Sequence, residues 1–450
     1  MKSEGQRNIN AMIVRNLQTF YNTRAFFALL IIIAFQNILA MFFAKRMPVV
    51  AQAIFVTKEF YIAIVIFLVT LLILMTGRMK KELVIPFGMI LYLLVVSAFA
   101  SPYFNFVSLR QALILPVFLI FGFYFAGSID IEKLSKWVFN IFFIAILLGL
   151  FERLFIYNEN ETFFKALGIR EWANMKGFGY GIPRSWYSSD LFAWTGERIR
   201  RMPGILIGDA VNFGQSLAFP LVYAFLMKKY IAALIIFIAV LLSMSKGGLI
   251  ASIVALGLYL SFERLTAYKR YLLWFAVLLI VSGIVYAGLD YVKQIGSVML
   301  HFRGGYTNVI NLFDNTFGGG VGSGGNFARR FGSIATSDAF GLSTKRLSDI
   351  SILAYGESYF GTMLSQFGIF GLFLYFYYPV KLLRTKIPRR ERFRNIVKYS
   401  ALGLFAVGLF AESAFTYVGT GFVVAMIPLA LRTYGHNETI QVRQKPFYTN

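Results

Sequence analysis

Along this chain the apolar residues do not alternate with polar ones but gather into twelve long runs. The first six are Ala25–Ala44, Tyr61–Thr76, Leu83–Ala100, Ala112–Ala126, Trp137–Phe151 and Ile205–Met227. The remaining six are Tyr230–Met244, Gly247–Phe262, Tyr271–Ala287, Tyr359–Tyr378, Ile396–Phe410 and Val418–Leu431. Each is 14 to 23 residues long, close to the roughly 20 that a helix needs to cross a bilayer. A helix that is apolar all round has no stable place in water. The pattern therefore predicts an all-α polytopic membrane protein of about 12 transmembrane helices, forming a single domain over residues 1–450. Two long polar segments, Glu152–Gly204 and Leu289–Ser358, interrupt the runs, and no internal repeat is visible. Residues 1–24 are polar and lead into no cleavage-like pattern, so the first run is expected to remain as an anchor.

The charges orient the runs. With the N-terminus in the cytoplasm, 25 of the 44 Lys and Arg fall on the inner side, densest from Lys381 through Arg384, Lys386, Arg389, Arg390, Arg392 and Arg394 to Lys398. The short outer loops then hold only Lys45, Arg46, Lys58, Arg110 and Lys246. This is the positive-inside bias, and it places both termini in the cytoplasm and both long segments on the outer side of the membrane. The net charge of +23 is accounted for by inner-face anchoring to anionic lipid, with no nucleic-acid module around any basic motif. With no cysteine there is neither disulfide nor thiol chemistry.

The long outer segments collect the residues with chemical potential. The first holds Trp172, Trp186 and Trp194, with Tyr180 and Tyr187 nearby and Gly177, Gly179 and Gly181 favouring irregular backbone. Such aromatic faces suit either sugar stacking or anchoring at headgroup depth. It ends in Glu197, Arg198, Arg200, Arg201, Pro203 and Gly204, followed by Asp209, Asn212 and Gly214 where the sixth run begins. Guanidinium groups hold phosphate oxygens in a bidentate fork at any working pH, which suits an anionic headgroup whose tail lies in the bilayer. Asp209 is either part of such a site or a structural partner of Arg201.

Ser243-Met-Ser-Lys246-Gly-Gly248 reads as a hairpin whose tip faces outward, with Lys246 a ligand contact or an ordinary loop lysine. In the second outer segment His301 and Arg303 precede Gly318, Gly319, Gly320, Gly322, Gly324 and Gly325. This run is not a phosphate-binding P-loop, and both a backbone cradle and a flexible linker fit it. Arg329, Arg330 and Arg346 follow, and Glu357 stands at the outer end of the tenth run, ahead of Gln366, Gly368 and Gly371.

Three of these segments together resemble the O-antigen polymerase and O-antigen ligase family. They are Arg201-Met-Pro-Gly204 with Asp209 and Asn212, the hairpin Ser243–Gly248, and the stretch from Arg303 through Gly320 and Gly322 to Glu357 and Gln366-Phe-Gly368-Ile-Phe-Gly371. The likeness runs from about Trp137 onward. Two departures stand out: Glu357 occupies the place where the family's ligases usually carry a histidine, and Ala210 and Val211 break its Asp-Pro-Asn element. The first favours polymerase over ligase.

The resemblance implies a GT-C-like fold and glycosyl transfer at the outer membrane face from an undecaprenyl diphosphate-linked oligosaccharide. For that transfer the residues themselves suggest Arg201 and Arg303 on the donor diphosphate and Glu357 as general base, with His301 the other outward group of suitable basicity. Arg200, Asp209, Asn212, Lys246, Arg329, Arg330, Trp186 and Trp194 are the further substrate-binding candidates. No acidic pair has metal-ligand spacing, so neither metal nor cofactor is expected. Expected partners are the lipid-linked glycan, membrane lipids and a chain-length regulator protein. The competing expectations are a ligase that delivers the glycan to lipid A-core and a flippase or transporter of lipid-linked sugars; a transporter would show two related halves and short loops.

Overall fold

A computed structural model describes residues 2–54, 67, 70, 81–100, 106–155, 166–175, 188–189, 199–202, 204, 210–266, 268–269, 271–272, 309, 312, 316–321, 323, 358–411, 413–416 and 420–432. The runs Tyr61–Thr76 and Tyr271–Ala287 fall almost wholly outside these residues. Every other run is helical over most of its length. The helices are α1 (Lys2–Arg46), α2 (Val84–Ala100), α3 (Phe106–Phe125), α4 (Ile131–Phe155), α5 (Ile169–Met175), α6 (Ala210–Ser216), α7 (Ala218–Leu226) and α8 (Tyr230–Ser243). They continue as α9 (Lys246–Arg264), α10 (Tyr359–Phe367), α11 (Ile369–Arg384), α12 (Arg392–Gly408), α13 (Ser413–Thr416) and α14 (Gly421–Leu431). A two-residue antiparallel ladder pairs β1 (Ser188–Ser189) with β2 (Ile199–Arg200), Ser188 opposite Arg200.

Among the described residues four helices are long and apolar enough to cross a membrane: Asn16–Arg46, Lys81–Ala98, Ile131–Phe155 and Lys246–Arg264. The outward faces of the bundle are apolar too, on the shorter helices as well as the long ones. On α8, Ile231, Leu234, Ile238 and Leu241 are all exposed, while Ala233, Ile236, Ala239 and Val240 of the same helix are buried. Water would penalise that exposed stripe and hydrocarbon would not, so the chain is a helical membrane protein. At the centre, every residue of α14 is buried and α12 is buried over nearly its whole length. Around them pack α3, α7 and α9.

Small residues set the closest approaches, as expected where lipid supplies no hydrophobic drive between helices. Gly403 of α12 lies on the Ala251 carbonyl of α9, and Gly122 of α3 lies on the Ala425 carbonyl of α14. The basic stretch Lys381–Lys398, expected from the sequence to anchor topology, makes structural contacts of its own. Arg394 is buried and donates through Nε and Nη2 to the Ala430 carbonyl at 3.2 and 2.8 Å, closing the last turn of α14. Lys398 is buried too, and donates to the Thr385 carbonyl, at the C-cap of α11, at 3.0 Å. Both neutralise carbonyls that a helix end leaves unpaired.

The tenth run is two helices, not one. Gly368 breaks it with φ of +60°, and a Cβ there would collide with the Thr316 carbonyl. Into this break fits part of the glycine-rich segment. The amides of Gly319 and Gly320 donate to the carbonyls of Ser365 and Gln366 at 2.8 and 3.2 Å, and the amide of Ile369 donates to Thr316 at 2.8 Å. On the other side the Val321 amide donates to Ser97 Oγ of α2 at 2.8 Å. Residues 318–321 are therefore packed against α10 and α2 instead of forming a free loop, while Thr316 and Phe317 are exposed. Irregular backbone is tolerated at such depth only where protein satisfies it. The amides of Gly319 and Gly320 are spent on α10, which leaves neither for a phosphate.

Candidate functional site

The first two resembling segments and the chain that follows Glu357 meet at one end of the bundle, around the turn between α8 and α9. α8 ends at Met244, which takes up the left-handed conformation (φ 50°), and Ser245 opens α9 as its N-cap. Ser245 Oγ accepts from the Gly248 amide at 3.1 Å and donates to the Val211 carbonyl of α6 at 3.2 Å. One hydroxyl thus caps a helix and ties it to the helix that follows Arg201. Just below, Gly248 of α9 lies on the backbone of Gly214 of α6, where a Cβ would overlap it, and a Cβ on Gly214 would in turn collide with Ser243 and Ser245. Gly247 packs on Gln215 of α6 and on Val407 of α12. The paired glycines of the hairpin exist for this three-helix approach.

Arg201 is delivered to the same place by its own backbone. It follows directly on β2, and the Met202 amide donates to the Leu242 carbonyl in the last turn of α8 at 2.9 Å. Gly204, with φ of +64°, lies flat on the Phe213 ring of α6 with no space for a side chain. Gly149 of α4 packs on Met202 and on Gly204 from the other side. Arg201 is half-buried, Lys246 is exposed, and the two are close enough for their positive charges to repel. Positive charge gathered at one end of the bundle suits an anionic ligand.

The end of the second long segment arrives by way of α12. Ser358, which follows Glu357, is fully buried, caps α10 by accepting from the Gly361 amide at 3.0 Å, and donates to the Leu409 carbonyl at 2.7 Å. Leu409 terminates α12 two residues beyond Val407, the residue that touches Gly247. Ser358 and the α8–α9 turn are therefore joined through a single helix end.

Of the residues expected from sequence, Arg201 and Lys246 are brought together here. Asn212 is buried in α6 at 1 % exposure and is partnered within the chain. Arg200 lies in β2 opposite Ser188. Trp186, Trp194, Asp209, His301, Arg303, Arg329, Arg330 and Glu357 lie outside the described residues. Trp172 is buried at 2 % exposure in a cluster with Ala40, Met41 and Ala44 of α1, so its ring is not open to a sugar.

Three contributors went unread in the sequence. Ser245 and Ser358 both carry the N-cap signal, a serine before a helical run whose hydroxyl takes the third amide along. Glu152 was read only as a boundary, yet it is fully buried at the end of α4 and partnered within the chain. It stands three residues after Gly149, on the face of α4 that meets Met202 and Gly204. A carboxylate buried beside the segment of Arg201 is a signal that its place at the end of an apolar run could have given. No protein-family profile matches this chain, and no characterised protein matches it in sequence.

Proposed function

We propose that this chain is a glycosyltransferase that polymerises a surface polysaccharide at the outer face of the bacterial plasma membrane. The α8–α9 turn faces outward in the topology set by the positive-inside bias, within a GT-C-like bundle of about 12 spans. The donor is a glycan on undecaprenyl diphosphate, and the acceptor is a hydroxyl of an incoming lipid-linked repeat unit. The observation that carries this reading is the convergence of Arg201, Lys246 and the Ser358 anchor on one end of the bundle. That end offers clustered positive charge where a lipid diphosphate would meet a sugar hydroxyl.

In the step proposed, the acceptor oxygen forms a bond to the anomeric carbon as the bond from that carbon to the diphosphate oxygen breaks. The electron pair leaves with the diphosphate. Arg201 and Arg303 offset the charge that grows on it, with Lys246, Arg200, Arg329 and Arg330 as further contacts. Glu357 takes the proton from the hydroxyl. Trp186 and Trp194 supply sugar-stacking faces, and Asp209 and Asn212 shape the opening of α6. The hydroxyls of Ser245 and Ser358 hold the turn and α10 in place without touching substrate.

The glycan phenotype of a deletion strain tests the assignment. A polymerase leaves single repeats on lipid. Long chains stranded on undecaprenyl diphosphate would assign the ligase reaction instead, in which the same leaving group departs and lipid A-core accepts. Unchanged surface glycan and unchanged lipid-linked intermediates would overturn both.

A further inference from the structure

At the opposite, basic end of the bundle a groove of about 380 Å³ opens sideways between α1 and α4, lined by Arg24, Phe27, Trp137, Asn140 and Ile141. Its level is fixed by the Asp130 amide, which donates to Thr23 Oγ1 at 3.0 Å, so that Arg24 sits beside the start of α4. Lys229 reaches the Phe139 ring and Lys136 the Phe393 ring, placing the groove at the end that carries the α7–α8 and α11–α12 connections. We propose that this groove binds one anionic phospholipid of the cytoplasmic leaflet, independently of the reaction proposed above.

The groove matches the layers of such a molecule in order. Arg24 is exposed, its guanidinium 3.9 Å over the Phe20 ring, and among the described residues it makes no ion pair. The neighbouring carboxylates are already engaged. Asp130 accepts from the amides of Glu132 and Lys133 at 3.1 Å each, and Glu132 pairs with Lys136 at 2.6 Å. That leaves Arg24 as positive charge at headgroup level, where a phosphate oxygen pair suits its fork. Trp137, half-exposed and 5.2 Å from the Phe27 ring, has the amphipathic character of a headgroup-boundary residue. Asn140 is exposed one turn further along α4, about 4.5 Å deeper, where glycerol ester carbonyls accept hydrogen bonds. Phe27 and Ile141 then wall the acyl chain. An exposed amide toward lipid is otherwise costly at that depth.

The test reconstitutes the full-length protein in phosphatidylcholine bilayers containing a minor fraction of either dibrominated phosphatidylglycerol or dibrominated phosphatidylcholine. The Trp137 contribution is the difference between wild-type emission and that of Trp137→Phe. The site predicts that the brominated anionic lipid occupies the groove about five-fold more readily than the zwitterionic one, the factor that one basic residue at a membrane surface supplies. Arg24→Gln should abolish that preference and Arg24→Lys should keep most of it, with both variants eluting as the wild type does on size exclusion. Equal quenching by the two lipids would overturn the proposal, as would a preference that survives Arg24→Gln.

Discussion

The amide of Met202 donates to the carbonyl of Leu242 at 2.9 Å, fixing the residue after Arg201 to the last turn of α8. That carbonyl is one of the four that a helix end leaves without an intrahelical partner. The bond therefore caps α8 and positions the arginine segment at once. Fold and proposed chemistry share the same hydrogen bond, and the predictions below separate the two.

The glycine contact between α6 and α9 is testable on its own. Gly248→Ala should destabilise the protein by roughly 1–3 kcal/mol, because its Cβ would meet the Gly214 backbone and neither helix can retreat cheaply. Gly257→Ala, in the same helix but with nothing within 4 Å, should be neutral or stabilising by about 0.5–1 kcal/mol. Denaturant titration of the purified variants in one detergent checks both. Equal effects would mean that helix propensity, not the contact, governs α9.

Ser245→Ala should cost roughly 0.5–2 kcal/mol, the usual consequence of losing an N-cap hydroxyl. Because the same hydroxyl also holds Val211, Ser245→Asp should recover the cap but not the bond to α6. Hydrogen exchange is the readout: the aspartate variant should protect the first turn of α9 while the Val211 region exchanges faster than in wild type.

Much of this architecture could be read from the run pattern. The all-round apolar helices and the hairpin at Ser243–Gly248 follow from it directly. What could not be read depends on contacts between distant segments. Gly368 looks like one glycine in an apolar run, and only the Thr316–Gly320 segment, which supplies and accepts the hydrogen bonds of the broken ends, makes the break stable. Trp172 looks like a surface aromatic until α5 is packed on α1. Arg394 looks like a topology signal because the Ala430 carbonyl it covers lies 36 positions away. Arg201 and Lys246 were legible as candidates; their meeting rests on the Met202–Leu242 bond, which no local pattern encodes.

The basic stretch offers a contrast between a buried and a solvated arginine. Arg394→Leu should cost about 3 kcal/mol, because Glu391 loses its 2.5 Å partner and the Ala430 carbonyl loses both donors. Arg390, exposed in the same connection, should tolerate Gln within about 0.5 kcal/mol. Thermal unfolding of the two variants side by side checks this. If both arginines served topology alone, the variants would unfold together.

Lys246 separates binding from folding. Lys246 is exposed at the start of α9, so Lys246→Gln should leave the ligand-free protein within about 0.5 kcal/mol of wild type. The same change should weaken binding of lipid-linked diphosphate, measured by a thermal shift with undecaprenyl diphosphate. A variant less stable than wild type, with binding intact, would make Lys246 a structural residue.

Arg201→Lys and Arg303→Lys keep charge but lose the planar fork. A charge-assisted contact made in the transition state contributes about 2 to 4 kcal/mol, so each variant should extend glycan roughly 30- to 1,000-fold more slowly at equal protein level. Near-normal rates and chain lengths in both would remove the diphosphate role.

The most direct measurement uses purified full-length protein with defined undecaprenyl diphosphate-linked repeats, following chain extension and release of undecaprenyl diphosphate together. Wild type should build a ladder of longer lipid-linked glycans, one diphosphate released per bond formed. Glu357→Gln should slow extension about 100-fold or more while the lipid-linked repeat still binds, the usual consequence of removing a general base. A wild-type protein that binds the repeats, yet neither extends them nor releases undecaprenyl diphosphate, would contradict the account.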